Sequence, residues 1–339
     1  MKKLFFAVAA IVAISACSKT EVDKASTRKV INFSAVSGKT TKAPITGTTY
    51  KTTDPTFGIF AYALEEGKTW AANSADGQTY MNNVEISYNA TDLIWEPAKT
   101  YYWPLSGSLT FVGYSPYGCN GTVAYAPATK ALTVTDFTQV ATAADQEDLM
   151  WATTNPDLTD NQSTYTSESA TSTKTGVNEV FHHALSQVCF AIKKAAGLED
   201  YVITVDTIKF NAYSKGTLTV TNDVPAWASQ SADLSFTAGV TSQEATDAAF
   251  VAYGDANMPV PQTLAAGTQQ LTIGYSMTTT GGVNMGHKTK VVDLLGTDVT
   301  AWAVNTKYTY NILIDLEKIY FNPTIVEWTE GASQQIDVQ

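Results

Sequence analysis

The residue with the clearest chemistry in the sequence is Cys17, which ends an apolar segment at the start of the chain. Lys2 and Lys3 precede the segment, and Leu4–Ala16 is short for a membrane span, since a spanning helix needs about 20 residues. The cysteine follows Ile-Ser-Ala and precedes a polar run, which resembles the lipobox of bacterial lipoproteins. We therefore predict that residues 1–16 are a signal peptide and that the Cys17 thiol carries acyl chains such as palmitate. The alternative is an ordinary signal peptide followed by an incidental cysteine.

The two other cysteines, Cys119 and Cys189, do not form the spacing of a disulfide framework. Cys119 follows a proline and a glycine, which is typical of a loop. Cys189 alternates with the apolar residues of a predicted strand, Val188–Ile192. We expect two free thiols, and a disulfide in the exported protein is the alternative.

The histidines do not provide a metal site. His182 and His183 are adjacent, so on a strand their side chains point to opposite faces, and His287 lies far along the sequence. Zinc needs three or four ligands that converge, so we predict no metal here and a hydrogen-bonded structural role for His183. A calcium loop is the remaining metal alternative, although its three residues match no standard spacing: Asp157, Asp160 and Asn161.

No residue set supports an enzyme or a cofactor. Gly113–Tyr117 resembles a nucleophile elbow, but its last glycine is absent and a proline follows Ser115. The paired acids Glu65-Glu66 and Glu147-Asp148 are adjacent, so their side chains diverge and do not form a glycosidase pair. We therefore predict that the protein is not an enzyme.

An aromatic cluster, Tyr101–Trp103, could stack against sugars, with help from three tryptophans elsewhere: Trp70, Trp227 and Trp302. The interpretation that we favour is that these side chains fill a β-sandwich core. The net charge of −11 and the single arginine, Arg28, leave no electrostatic means of gripping phosphates, which excludes nucleic acid as a partner.

The elements that must position these residues are strands. Apolar residues recur with a period of two, as in Leu271–Met277 and Tyr308–Leu316, and turn-forming residues interrupt the runs at short intervals. This pattern predicts an all-β fold of antiparallel sandwiches. We expect only short connecting helices, at His183–Gln187 and Ser242–Ala249.

One polar segment, Asp160–Gly176, is rich in Ser and Thr and predicts either an exposed loop or an inter-domain connection. We place a domain boundary beside it. The predicted organisation is a signal peptide (1–16), a lipidated linker (17–29), an N-terminal β-sandwich domain (30–176) and a C-terminal β-sandwich domain (177–339).

Several short motifs in order give the chain a resemblance to the fimbrillin family, the Mfa-like lipoprotein subunits of type V pili in Gram-negative anaerobes. Each motif is weak alone, but their order from Cys17 to Trp328 is specific. They are Val30–Phe33, Phe57–Tyr62, Tyr80–Asn83, Tyr101–Pro104, Tyr114–Pro116, Asp148–Ala152, Phe181–Ser186, Met258–Gln262, Tyr308–Tyr310 and Ile325–Trp328.

The resemblance implies two transthyretin-like β-sandwich domains, a lipid anchor in the outer membrane, and polymerisation with other fimbrial subunits by strand exchange after proteolysis. The displaced strand would be Val30–Val36, with Ile31 and Phe33 inward and Asn32 and Ser34 outward. The donor would come from another subunit's tail, residues 331–339, together with the Thr324–Trp328 strand. In that tail Ile336 and Val338 alternate with Asp337, as an inserted strand requires.

The processing site departs from the family pattern. Polymerising members usually carry an arginine in the loop after the first strand, whereas this loop offers Lys39 and Lys42. Arg28 precedes the strand, so a cut there would release the lipid and leave the strand in place. A cut at Lys42 would open the groove, and an uncut protein would act as an anchor or a stand-alone surface protein.

Two functions follow from these observations. The preferred one is a structural or adhesive surface lipoprotein that forms part of a pilus, with other subunits as partners. The alternative is a surface lipoprotein that binds host or bacterial glycans or proteins and does not polymerise.

Overall fold

The computed structural model describes residues 29–37, 56–161, 163–166, 173–239, 242–315 and 319–327. Over these residues the chain is almost entirely β, which confirms the predicted fold class. The strands are β1 (Phe33–Ser37), β2 (Phe57–Leu64), β3 (Gln78–Asn89), β4 (Ile94–Pro97), β5 (Ser108–Ser115), β6 (Thr122–Ala126), β7 (Ala131–Thr138), β8 (Met150–Ala152), β9 (Asn155–Leu158), β10 (Ser163–Thr166), β11 (Thr173–His183), β12 (Ser186–Lys194), β13 (Tyr201–Thr221), β14 (Val224–Thr237), β15 (Gln243–Glu244), β16 (Val251–Asn257), β17 (Gln262–Thr263), β18 (Gln270–Thr279), β19 (Asn284–Asp293), β20 (Ala301–Trp302), β21 (Thr306–Ile314) and β22 (Ile319–Glu327).

The helices are short but lie elsewhere than we expected. They are α1 (Trp70–Asn73) and two 3₁₀ turns, Ser74–Asp76 and Ala143–Asp145. The prediction of helix at His183–Gln187 is wrong, because Ala184 N–H donates to Leu149 O at 2.8 Å and tertiary partners replace the helical bonds there. The prediction at Ser242–Ala249 is also wrong, since Gln243 and Glu244 form β15 against β13.

Among the described residues, no helix has both the length and the apolar composition of a membrane span.

The first sheet closes on itself. Its strands follow the order β1-β4-β3-β2-β5-β8-β11-β10, β9 pairs with β5, and β1 also pairs in parallel with β11. Part of the polar segment 160–176 belongs to this sheet, because β10 and the start of β11 pair from Ser163–Gly176 to Thr166–Thr173. Backbone hydrogen bonds need no apolar side chains, so a polar segment can extend a sheet edge. The expectation of a loop or connection is therefore wrong for these residues.

The closed sheet encloses the first of three cores, which we call the N-terminal core. Its buried members are Ile31, Phe33, Ala35, Phe57, Ile59, Ala61, Met81, Ile86, Trp95, Trp103, Leu109, Phe111, Met150, Ala152, Val177 and Phe181. The strand β2 is buried on its other face too, where Phe60 and Tyr62 contribute to a second core. Burial on both faces explains why this strand reads as a continuous apolar run rather than an alternation.

The second core, which we call the junction core, lies between the two halves of the chain. The β6–β7 hairpin pairs with β13, from Lys215–Thr138 to Thr221–Ala131, so a hairpin of the first half completes a sheet of the second. This sheet has the order β19-β18-β13-β7-β6. The expected domain boundary near residue 177 falls within β11, which pairs with β1 and β8 of the first half.

The third core, which we call the C-terminal core, lies between that sheet and a four-stranded sheet of order β16-β12-β21-β22. Here the predicted alternation is confirmed, since Leu271, Ile273, Tyr275 and Met277 of β18 are all buried. Trp302 Nε1 donates to Tyr310 Oη at 3.0 Å, which satisfies a buried polar group of the core.

Candidate site at the first strand

Backbone pairing places β1 between β11 and β4. Its parallel pairing with β11 runs from Phe33–Val177 to Ser37–Phe181, but it pairs with β4 only at Phe33–Trp95. The residues before β1 pair with another segment, since Ile31 N–H donates to Tyr101 O at 3.0 Å. The strand is thus fully paired on one side and sparsely paired on the other.

A glycine lets the two parallel strands approach closely. A Cβ built on Gly176 would lie 2.9 Å from the backbone carbon of Phe33 and 3.0 Å from Asn32 O. Val177 N–H next to it donates to Asn32 O at 2.7 Å. Any larger residue at position 176 would therefore push the first strand away from β11.

The side chains of the first strand enter the N-terminal core. Ile31 and Phe33 have no exposed surface, as the alternation predicts. The Phe33 ring meets Phe57 and Phe111 edge-on, with centroids 6.2 and 5.7 Å away. Full burial of such side chains stabilises a fold by about 1.5–3 kcal/mol each, so the burial of Ile31 and Phe33 contributes to the stability of this core.

The expectation that Ser34 faces solvent is wrong. Ser34 is 2% exposed, and its Oγ lies 3.1 Å from Asn178 Oδ1. A buried hydroxyl needs a hydrogen-bond partner, and the neighbouring strand provides it. Asn32 is half-buried on the same face.

Polar residues that follow β9 hold the start of the first strand. Asn161 Nδ2 donates to Val30 O at 3.0 Å, and Asn161 Oδ1 accepts from Trp103 Nε1 at 3.0 Å. Asp160 forms an ion pair with Lys29. We call Asp160 and Asn161 the clasp. Asp160 and Asn161 are two of the three residues of the calcium alternative. The third, Asp157, accepts from Trp70 N–H at 2.8 Å. All three residues therefore bind protein partners in separate places.

A buried carboxylic acid lies beside the first strand. Glu179 on β11 pairs with Ala35 and has no exposed surface. Its Oε1 accepts from Asn155 Nδ2 at 3.2 Å, and Oε2 has no hydrogen-bond partner among the described residues. Burial raises the pKa of Glu179 to about 8. Sequence reasoning missed this residue, although an acid between Val177 and Phe181 in an apolar alternation is a usable signal.

The histidines have structural partners. His183 Nδ1 lies 2.9 Å from Asp148 Oδ1 in a buried pair, which confirms the hydrogen-bonded role. His182 stacks on Trp151 with ring centroids 4.6 Å apart and lies 2.8 Å from Thr153 Oγ1. Burial lowers the pKa of His182. Within the described residues no three His, Cys, Asp or Glu side chains come together as a metal-binding group.

The two described cysteines are free thiols. Burial raises the pKa of Cys119 to about 12 and that of Cys189 to about 11. Both thiols are therefore protonated and poorly nucleophilic at physiological pH.

Most of the aromatic side chains considered for sugar stacking pack in or against the cores. Trp70, Trp103 and Trp302 are buried. Trp227 packs against the junction core and donates Nε1–H to Ala184 O at 2.7 Å. Tyr102 is the exposed member of the cluster. The interpretation as core residues is confirmed for Trp70, Trp103 and Trp302.

The remaining sequence-predicted residues lie outside the described residues: Cys17, Arg28, Lys42, Ile336 and Val338. The Thr324–Trp328 strand is described as far as Glu327, within β22. It pairs with β21 of the same chain from Thr306–Glu327 to Ile314–Ile319.

The sequence profile of the fimbrillin-like family matches residues 25–328. No curated protein sequence matches the chain. Among solved structures, a fimbrial protein from Bacteroides vulgatus has a TM-score of 0.59 and 20% identity, covering 88% of this chain and 99% of that chain. A candidate cell adhesion protein from Bacteroides uniformis has a TM-score of 0.46 and 20% identity, covering 88% and 98%. The fimbrial anchor protein Mfa2 from Porphyromonas gingivalis has a TM-score of 0.30 and 11% identity, covering 88% and 98%.

Proposed function

The chain belongs to the fimbrillin-like family, and from that premise we propose that it is a surface lipoprotein that joins a fimbrium by exchanging its first strand. Membership of a fimbrillin-like family supports a location at the cell surface. The finer proposal has three parts. These are a lipid on Cys17, a cut at Lys42 and replacement of β1 by a strand from another subunit.

The observation that carries the proposal is that β1 has buried side chains but a long backbone pairing on one side only. Phe33 and Ala35 are buried in the N-terminal core, whereas the described pairing of β1 with β4 is limited to Phe33 and Trp95. Loss of the strand would expose Phe57, Phe111 and the edge of β11. An apolar groove beside an unpaired strand edge is the kind of site that takes up a strand from another chain.

We assign the donor role to residues 331–339, because β22 is already paired with β21 in its own chain. Ile336 and Val338 would take inward positions. Nine extended residues reach about 30 Å, which is longer than the five-residue strand they would replace.

Limited trypsin digestion of the purified mature chain tests the exchange. We expect detergent-resistant ladders from the wild type and none from Lys42→Gln, with Lys39→Gln as the matched control that still polymerises. A chain without residues 331–339 should be cut at Lys42 and remain monomeric.

Three results would contradict this mechanism. Polymerisation of Lys42→Gln would place the cut elsewhere, with Arg28→Gln as the next variant to compare. Polymerisation of the shortened chain would remove the tail as donor. A wild-type chain that is cut at Lys42 and stays monomeric would instead be a non-polymerising anchor or surface protein.

Lipidation has its own test. Cys17→Ala should abolish labelling by a fatty-acid probe and retention in the outer membrane, because the thiol is the acylated group. Cys189→Ala is the matched control, since its thiol lies in β12 and should not affect labelling. A Cys17→Ala protein that is still labelled and membrane-bound would contradict the proposal.

A further inference from the structure

The carboxyl group of Glu179 faces the N-terminal core beside the first strand. Its neighbours at alternate positions of β11, Val177 and Phe181, are members of that core. In the parallel pairing Glu179 lies opposite Ala35, and paired residues of adjacent strands point their side chains to the same face. The acid is therefore the side-chain neighbour of Ala35 inside the core.

Small residues leave the space that the carboxyl group occupies. A Cβ built on Gly113 would lie 2.9 Å from Glu179 Oε2, and it would also meet Ala152 and Ile59. Ala35 is the corresponding small residue on β1 and is buried. A larger side chain at position 113 would have to displace the carboxyl group, and we expect the same at position 35, which pairs with Glu179.

Among the described residues, no charged group compensates the carboxyl group of Glu179. Asn155 of β9 donates to the carboxyl group, Gly113 of β5 lies against it, and Ala35 is its pairing neighbour on β1. None of these three residues is ionisable. The ionisable residue further along the same face of β11 is His183, which is paired with Asp148. A carboxylate enclosed in this way lacks the partners that it needs, so the group is protonated when the strand is in place.

We propose that Glu179 controls the seating of the first strand, by admitting only a small side chain beside it and by binding a proton only while the strand covers it. When the strand leaves, water reaches the carboxyl group, which releases its proton to the solvent. When a strand returns, the proton must be taken up again. The strand is therefore held more firmly at low pH.

The pKa values give the direction and the range. The pKa of Glu179 is about 8 with β1 in place, and the ordinary value of 4.5 applies once the group is exposed. The additional stability of the bound strand is fully present below pH 4.5 and is lost as the pH rises through 8. The consequence for the partner rests on the proposed function. A donor strand would need a small residue at the position of Ala35 and would insert more readily at acidic pH.

Hydrogen exchange of the uncut chain tests the seating of the strand directly. The measurement is the protection of the peptide that contains Phe33–Ser37, corrected for the intrinsic exchange rate, at pH 6 and pH 9. In the wild type we expect protection to fall by roughly tenfold to a hundredfold between these pH values. In Glu179→Gln it should stay nearly constant, and Glu66→Gln, an exposed acid in the loop after β2, should behave as the wild type. An equal fall in Glu179→Gln, or none in the wild type, would overturn the proposal.

A second pair of variants keeps the test valid if Glu179→Gln does not fold. Ala35→Leu should reduce the protection of β1 and leave that of β12 unchanged, and the double variant with Glu179→Ala should restore protection by providing space. No effect of Ala35→Leu, or no restoration, would overturn the proposal. These outcomes are distinct from those of the fimbrial proposal. If hydrogen-exchange protection does not change with pH but the ladders form normally, only the role of Glu179 is rejected. If protection depends on pH but no ladders form, only the strand exchange between subunits is rejected.

Discussion

Two strands of the molecule, β1 and β12, are similar in side-chain burial and different in backbone pairing. Both place apolar side chains in a core, Phe33 in one and Phe190 in the other, and both pair in parallel with one neighbour. The strand β12 pairs with β21 along its whole length and with β16 on its other side. The strand β1 has its long pairing on one side only, with β11.

This difference shows that burial alone does not fix a strand in place. Removal of β12 would break two ladders and divide its sheet, so it is possible only when the C-terminal half unfolds. Removal of β1 with the residues before it breaks one long ladder, the Phe33–Trp95 pair and the short bridge to Tyr101–Trp103, and another apolar strand can replace the apolar contacts that are lost. A strand with buried side chains and a long backbone pairing on one side only is suited to exchange.

The largest effect should come from replacing the two phenylalanines. Phe190→Ala should lower the free energy of unfolding by about 3–5 kcal/mol, because a large cavity is left in the C-terminal core. Phe33→Ala should lower the free energy of global unfolding by less, because its effect cannot exceed the free energy by which β1 binds to the rest of the fold. It should also remove the protection of residues 33–37 from hydrogen exchange. Denaturant unfolding and hydrogen exchange measure the two effects. If both variants lose the same global stability and β1 stays protected, the comparison of the two strands is wrong.

An intermediate effect is expected at the clasp. Asn161→Ala removes the hydrogen bonds to Val30 O and to Trp103 Nε1, at about 1 kcal/mol each, and should lower the stability of β1 more than that of β12. Trp103→Phe removes only the second bond and part of the ring. The double variant should lose less than the sum of the single ones, because both changes remove the same bond. Additive losses would indicate that the two residues act independently.

The smallest effect is expected from the ion pair of the clasp. The side chains of Lys29 and Asp160 are 65% and 42% exposed, and exposed pairs contribute about 0–1 kcal/mol. Lys29→Ala should therefore change the thermal midpoint by no more than a few degrees, and high salt should remove the difference. A loss as large as that of Asn161→Ala would show that the ion pair, rather than the amide, holds the start of β1.

Local alternation was sufficient to predict several of the strands and several inward residues. Ile31 and Phe33 are buried as predicted, because a period of two fixes which face a residue takes once one face is covered. The same reasoning failed at Ser34, since it assumes that the opposite face of the strand meets water. That face is covered here, and the hydroxyl lies next to Asn178.

Pairing between distant strands could not be read from the sequence. Nothing local in the polar segment 173–176 indicates that it leads into β11 and closes the first sheet against β1. The join of the β6–β7 hairpin to β13 is equally invisible, because the ladder is formed by backbone groups that every residue carries. Asn161 likewise gives no signal, since its role depends on two partners that are far away in the chain.

The length of β13 has a mechanical consequence. Its 21 residues at about 3.3 Å each give a contour of roughly 70 Å. Its first part pairs with β18 and its last part with β7, while β14 runs along the other edge. A single strand thus links the two halves through continuous ladders rather than through a flexible hinge. Tension along β13 would load many backbone hydrogen bonds in shear at once, so the protein should transmit force along this strand with little extension.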